Sequence, residues 1–216
     1  MKYKGAIFDL DGTLVDSMPV WENLGSNYLK KLGIKPTEDI GETIKTMTLL
    51  ECAHYFQREH GVTHTIEQII MGFSNMISRQ YEEDILLKPQ VRPFLEKLRR
   101  EGVRCCVLTA NERHLAEACL ARNDALKYFE FILTCSEVGC GKDNPTVFRQ
   151  ALKRLGTPKE ETMVFEDALH AVETAKSAGF HVTGVYDKTA AREEKTIRSI
   201  ADCYVYTFDE WEAQCK

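Results

Sequence analysis

No apolar run of about 18 residues occurs in this 216-residue chain, which excludes a membrane-spanning helix. Its 8 cysteines and 6 histidines form no Cys-x-x-Cys pair and no cluster at zinc-ligand spacing, so neither a zinc site nor a dithiol redox motif is predicted. Most of the cysteines (52, 105, 106, 119, 135, 140, 203 and 215) sit in apolar runs, as in Arg104-Cys105-Cys106-Val107-Leu108, and free buried thiols are the expectation. No Lys/Arg-rich block exceeds the helical patch between Lys97 and Arg104. With a net charge of −5, this sets nucleic acid aside as a partner. The opening residues Met1-Lys2-Tyr3-Lys4-Gly5 contain no signal-type apolar segment, and a cytoplasmic protein is expected. Internal repeats, low-complexity tracts and Gly/Ser linkers are missing too.

What is present is ordinary globular material, 44% hydrophobic and 28% charged, enough for one substantial domain with or without a smaller one. Two textures alternate. From 18 to 87 the chain reads as helix only: Met18 to Leu32, Glu42 to Glu59 and Thr65 to Asp84 carry apolar residues at three- and four-residue spacing. From 88 onward, short β-rich runs alternate with amphipathic helices. The runs are Val103 to Leu108, Phe131 to Thr134, Thr162 to Phe165, His181 to Tyr186 and Cys203 to Val205. Gly5 to Leu10 shares their texture. This pattern predicts an α/β fold with a Rossmann-like, doubly wound parallel sheet in residues 1–17 and 88–216, and an all-helical cap domain inserted at 18–87. Open sheets of this kind bind ligands beyond the carboxyl ends of their strands.

Four polar segments fall at those ends. Asp9-Leu10-Asp11-Gly12-Thr13 sets two carboxylates two residues apart before a glycine turn; two such groups divide the work of nucleophile and proton donor and share a cation. Val107-Leu108-Thr109-Ala110-Asn111 ends a strand in a hydroxyl, with Asn111 read as the cap of the helix from Glu112. Gly141-Lys142-Asp143-Asn144-Pro145-Thr146-Val147-Phe148 places a lysine before a helix. Met163-Val164-Phe165-Glu166-Asp167-Ala168 ends a strand in adjacent carboxylates, which by themselves read equally well as a helix cap.

In order and spacing, these segments resemble those of the haloacid dehalogenase (HAD) superfamily, in particular the phosphoglycolate phosphatase and β-phosphoglucomutase subgroup with a helical cap. The resemblance spans nearly the whole chain, and its Asp-x-Asp-Gly-Thr segment is the most specific. It implies that Asp9 attacks phosphorus to form an aspartyl-phosphate, and that Asp11 protonates the leaving oxygen and then deprotonates water. Lys142, the Thr109 hydroxyl and the Ala110 N–H would hold the phosphoryl oxygens. Mg2+ would rest on Asp9, the Asp11 carbonyl and Asp167, with Glu166 either on the metal or directly behind it. The implied activity is Mg2+-dependent hydrolysis of a small phosphorylated metabolite, such as a sugar phosphate, by a phosphomonoester hydrolase.

Two departures bear on that reading. The mutases of the subgroup carry a His near position 21 and an Arg in the first cap loop. Here Trp21 occupies the former, and Gly41-Glu42-Thr43-Ile44-Lys45-Thr46 offers Lys45, a candidate substrate contact, but no Arg. Phosphatase therefore leads over phosphosugar mutase. A third possibility, a non-catalytic module that binds a phosphometabolite, is disfavoured by Asp9, Asp11, Lys142 and Asp167 all being present. Asp143 and Thr146 stand where the subgroup has Pro and Asp. Substrate identity and oligomeric state are not legible.

Overall fold

A computed structural model of the chain describes residues 3–44 and 47–215. In chain order its elements are β1 (Gly5–Phe8), α1 (Met18–Lys31), α2 (Ile40–Ile44), α3 (Leu49–His60), α4 (Ile66–Glu83), α5 (Val91–Arg100), β2 (Arg104–Thr109), α6 (Arg113–Arg122), β3 (Ile132–Thr134), α7 (Cys135–Val138), α8 (Thr146–Leu155), β4 (Thr162–Glu166), α9 (Leu169–Ser177), β5 (His181–Val185), α10 (Glu194–Ile200), β6 (Cys203–Val205) and α11 (Trp211–Gln214). They divide into two compact units. One holds the residues up to Asp16 and from Ile85 onward, the other Ser17–Asp84.

The first unit is built on a parallel sheet of order β3-β2-β1-β4-β5-β6. β1 is central and every residue in it is buried, so it reads as an unbroken apolar run. Its alternate side chains serve opposite faces. Ile7 joins Cys106, Leu108, Val164 and Val182 beneath α8 and α9, whose Val147, Phe148, Ala171, Val172 and Ala175 close that side. Phe8 enters an aromatic cluster on the other side. Its ring stacks on Phe165 at 4.5 Å and meets Phe94 of α5 edge-on at 6.4 Å, while Trp211 of α11 lies 5.6 Å from Phe94. Each buried ring contributes roughly 1.5–3 kcal/mol through the apolar surface it removes from water.

Parallel register decides where the strands stop. Phe8 pairs with both Val107 and Phe165, and the Asp9 N–H donates to the Phe165 carbonyl at 3.0 Å, one residue further. The polar residues that follow β1, β2 and β4 therefore emerge along one edge.

The second unit is helical. Ile69, Phe73, Ile77 and Tyr81 of α4 recur every four residues and form a buried stripe. Tyr28, Phe56 and Phe73 pack their rings together at 4.8–6.1 Å. The single helix expected over Glu42 to Glu59 is corrected. Two helices stand there, because Thr48 takes an extended conformation and starts a new one. Its hydroxyl accepts the Glu51 N–H at 3.2 Å, and Glu51 Oε2 accepts the Thr48 N–H at 2.7 Å.

The cysteine expectation is corrected at one pair. Cys52, Cys105, Cys106, Cys119, Cys135 and Cys140 are free thiols, and burial pushes Cys105 up to about 12 and Cys119 up to about 11. Cys203 in β6 and Cys215 after α11 form a disulfide, with Cα atoms 5.5 Å apart and a sequence separation of 12. A loop of that length restricts the unfolded chain by about 3 kcal/mol. Reduction, or Cys203→Ser, is expected to lower the urea midpoint accordingly. An unchanged midpoint would show that the bond contributes nothing.

Candidate active site

The turn after β1 is shaped by Gly12, whose φ of +82° lies where a side chain is disfavoured. The Gly12 N–H donates to the Val15 carbonyl at 3.0 Å and the Leu14 N–H to the Leu10 carbonyl at 2.9 Å. The backbone thus doubles back at once, leaving Asp9 buried and Asp11 half-buried at the strand's end.

Asp9 meets the residues that end β4. Its carboxylate and those of Glu166 and Asp167 each offer an oxygen within 4.8 Å of the others, and all three are buried. Lys142, also buried, arrives from the loop before α8. Its Nζ donates to Asp9 Oδ1 and, at 2.5 Å, to Glu166 Oε1. Burial works against the lysine's charge, but Asp9 and Glu166 outweigh it and hold Lys142 protonated. Burial pushes Glu166 up to about 7 against the pull of Lys142. Asp167 is raised well above the usual carboxylate range, first by burial and then by repulsion from Asp9 and Glu166. Three carboxylates against one ammonium leave the cluster short of positive charge.

Neither acid of Glu166-Asp167 caps α9. Its N-cap is Ala168, which makes no side-chain cap bond, and Asp167 Oδ1 accepts the Thr13 hydroxyl at 3.0 Å instead. Thr109 is buried at the end of β2, where its Oγ1 accepts the Asn111 N–H at 3.0 Å; Ala110 beside it is exposed. Asn111 does not cap α6 as expected. The helix begins a residue later, with Glu112 at the N-cap, and the Asn111 Nδ2 donates to Asp11 Oδ2 at 3.2 Å. Asp143 is exposed, so its charge is spent in solvent, while the neighbouring Asn144 Oδ1 accepts the Thr146 N–H at 3.0 Å and starts α8.

Lys45 lies outside the described residues. Trp21 donates its indole N–H to the Tyr81 hydroxyl at 3.0 Å, a contact within the helical unit. His170 is exposed.

The sequence reading missed Lys88. Its Nζ donates to the Gly12 carbonyl at 2.5 Å, the Tyr186 carbonyl at 2.6 Å and Asp187 Oδ2 at 3.0 Å, tying the turn after β1 to the end of β5. Asp187 is buried, which raises its pKa, yet hydrogen bonds from Thr189 and the charge of Lys88 bring the balance below the usual range. A lone lysine before a proline carries no sequence signal of this.

Three buried carboxyl groups at the ends of β1 and β4, with one lysine among them, are chemically suited to binding a cation and an anionic group together. Comparison with known proteins agrees in kind. The family model described as haloacid dehalogenase-like hydrolase matches residues 6–185. A phosphorylated carbohydrates phosphatase from Thermotoga maritima is 28% identical over 176 residues, covering 82% of this chain and 82% of its own. Hexitol phosphatase A from Escherichia coli K12 is also 28% identical, covering 86% of this chain and 84% of its own. Among solved structures, one from Thermotoga maritima assigned provisionally as a β-phosphoglucomutase superposes with a TM-score of 0.83 at 26% identity, covering 96% of this chain and 95% of that one.

Proposed function

The chain belongs to the haloacid dehalogenase-like hydrolase family, and from that membership we propose that it is a Mg2+-dependent phosphatase of small phosphorylated metabolites, sugar or sugar-alcohol phosphates first. The observation that carries the reading is the buried meeting of Asp9, Lys142, Glu166 and Asp167 beside a half-buried Asp11. The two relatives named as phosphatases of phosphorylated carbohydrates and hexitols support the substrate class.

Asp9 is the nucleophile. Its carboxylate forms a bond to phosphorus as the bond to the leaving oxygen breaks, and Asp11 delivers a proton to that oxygen. The aspartyl-phosphate on Asp9 is then cleaved by water, whose proton Asp11 takes back. Lys142 neutralises the phosphoryl oxygens throughout, and the Thr109 hydroxyl and Ala110 N–H donate to them.

The donor set fits a hard divalent cation: carboxylate oxygens only, gathered within 4.8 Å and short of positive charge. Asp9 and Asp167 would hold it with the Asp11 carbonyl, while Glu166, already engaged by Lys142, stands beside them. When bound, Mg2+ supplies charge neutralisation for an incoming phosphate dianion. We assign the helical unit, Ser17–Asp84, the role of a cap that discriminates leaving groups.

The test is phosphate release from a panel of hexose phosphates, hexitol phosphates, phosphoglycolate and nucleotides with Mg2+ present. Release that is fastest on the sugar and hexitol esters is expected. Isomerisation of β-glucose 1-phosphate outrunning phosphate release would replace the phosphatase with a mutase. Silence across the panel from folded protein would leave a binding module.

A further inference from the structure

Asn111 is held at three points. Its backbone N–H donates to Thr109 Oγ1 at 3.0 Å, its Oδ1 accepts the Glu112 N–H at 2.8 Å, and its Nδ2 donates to Asp11 Oδ2 at 3.2 Å. The Glu112 contact settles which way the amide faces. A backbone N–H only donates, so the carbonyl end of Asn111 must lie there, and the NH2 end is turned to Asp11. The residues are 100 positions apart and meet because β1 and β2 are parallel neighbours in register, Phe8 opposite Val107. A helix cap alone has no need of this contact, and α6 takes no side-chain cap at all.

The Nδ2 contact engages one carboxylate oxygen of Asp11, Oδ2, and so restrains rotation of the carboxyl group. We infer that Asn111 is a positioning residue for Asp11, holding its carboxyl group in a fixed orientation for proton delivery to the leaving group. The inference rests on the phosphatase reading, in which Asp11 is the general acid.

Leaving groups separate this role from a structural one. 4-Nitrophenolate departs as an anion and needs little protonation, whereas the alkoxide of a sugar or alkyl ester must receive a proton. Values of kcat/KM, which report the first phosphoryl transfer, are compared for 4-nitrophenyl phosphate and a hexitol phosphate in the wild type, Asn111→Leu, Asn111→Ala and Asp11→Asn. Leu is close to Asn in shape and cannot donate, and the thermal midpoint of each variant is recorded alongside.

In both Asn111 variants the alkyl ester is expected to lose about 10- to 100-fold, part of what a general acid supplies, and the aryl ester under about threefold. Equal losses on both esters, or no loss on either, overturn the inference. Asp11→Asn keeps the two readings apart. If it shows the split and the Asn111 variants do not, only the role of Asn111 fails. If Asp11→Asn itself shows no split, the assignment of Asp11 as acid fails, and a wild type that hydrolyses neither ester overturns both.

Discussion

Asp9→Asn is expected to lower phosphate release by about 10⁴-fold or more, because no other side chain can replace the atom that bonds to phosphorus. An amide oxygen is uncharged and a poor nucleophile. The fold is expected to survive. Asp9 is one of three buried carboxylates gathered against a single lysine, and removing one relieves repulsion that raises Asp167. Lys142 retains Glu166 at 2.5 Å, so its ammonium is not left buried without a partner. Steady-state phosphate release and the thermal midpoint check the two halves together. Undiminished release from a folded variant would remove Asp9 from the role of nucleophile. Loss of both activity and folding would make the variant uninformative about chemistry, and Asp9→Glu, which keeps the charge but moves the oxygen, then decides whether position matters.

Removing the metal is expected to be nearly as severe. With EDTA in excess, phosphate release should fall to background and return on adding Mg2+, since a dianionic ester cannot approach Asp9, Glu166 and Asp167 without compensation. A second readout needs no substrate. Mg2+ at about 100 times its dissociation constant stabilises the folded state by roughly 2.7 kcal/mol, seen as a rise in the thermal midpoint. Asp167→Asn should abolish that rise, because the residue supplies a carboxylate to the cluster and is itself aligned by Thr13. Release unaffected by chelation, together with a midpoint insensitive to Mg2+, would show that the carboxylates do not serve a metal.

Much of the fold was legible because a parallel sheet buried on both faces must be written in continuous apolar runs. β1, β2 and β4 are such runs. The break before α3 was also written in the chain, as Thr48-x-x-Glu51, but the apolar periodicity on either side concealed it. A capping box is a local signal and a stripe of apolar residues a longer one, and the longer one prevailed. The disulfide was not legible. Nothing in the spacing of Cys203 and Cys215 marks them, and their proximity depends on α11 folding back along β6.

By itself, then, the sequence determined the order of the strands along the chain and the polar segments that follow several of them, because these are local consequences of burial and turn chemistry. Only the tertiary structure decided which of those segments meet. Lys142 lies between Asp9 and Glu166, Lys88 holds the Gly12 carbonyl from 76 residues away, and Asn111 turned out to hold Asp11 rather than cap a helix. The reason is physical: a residue's partner across a sheet is set by strand order and register, and these are properties of the whole packed core rather than of any window of sequence.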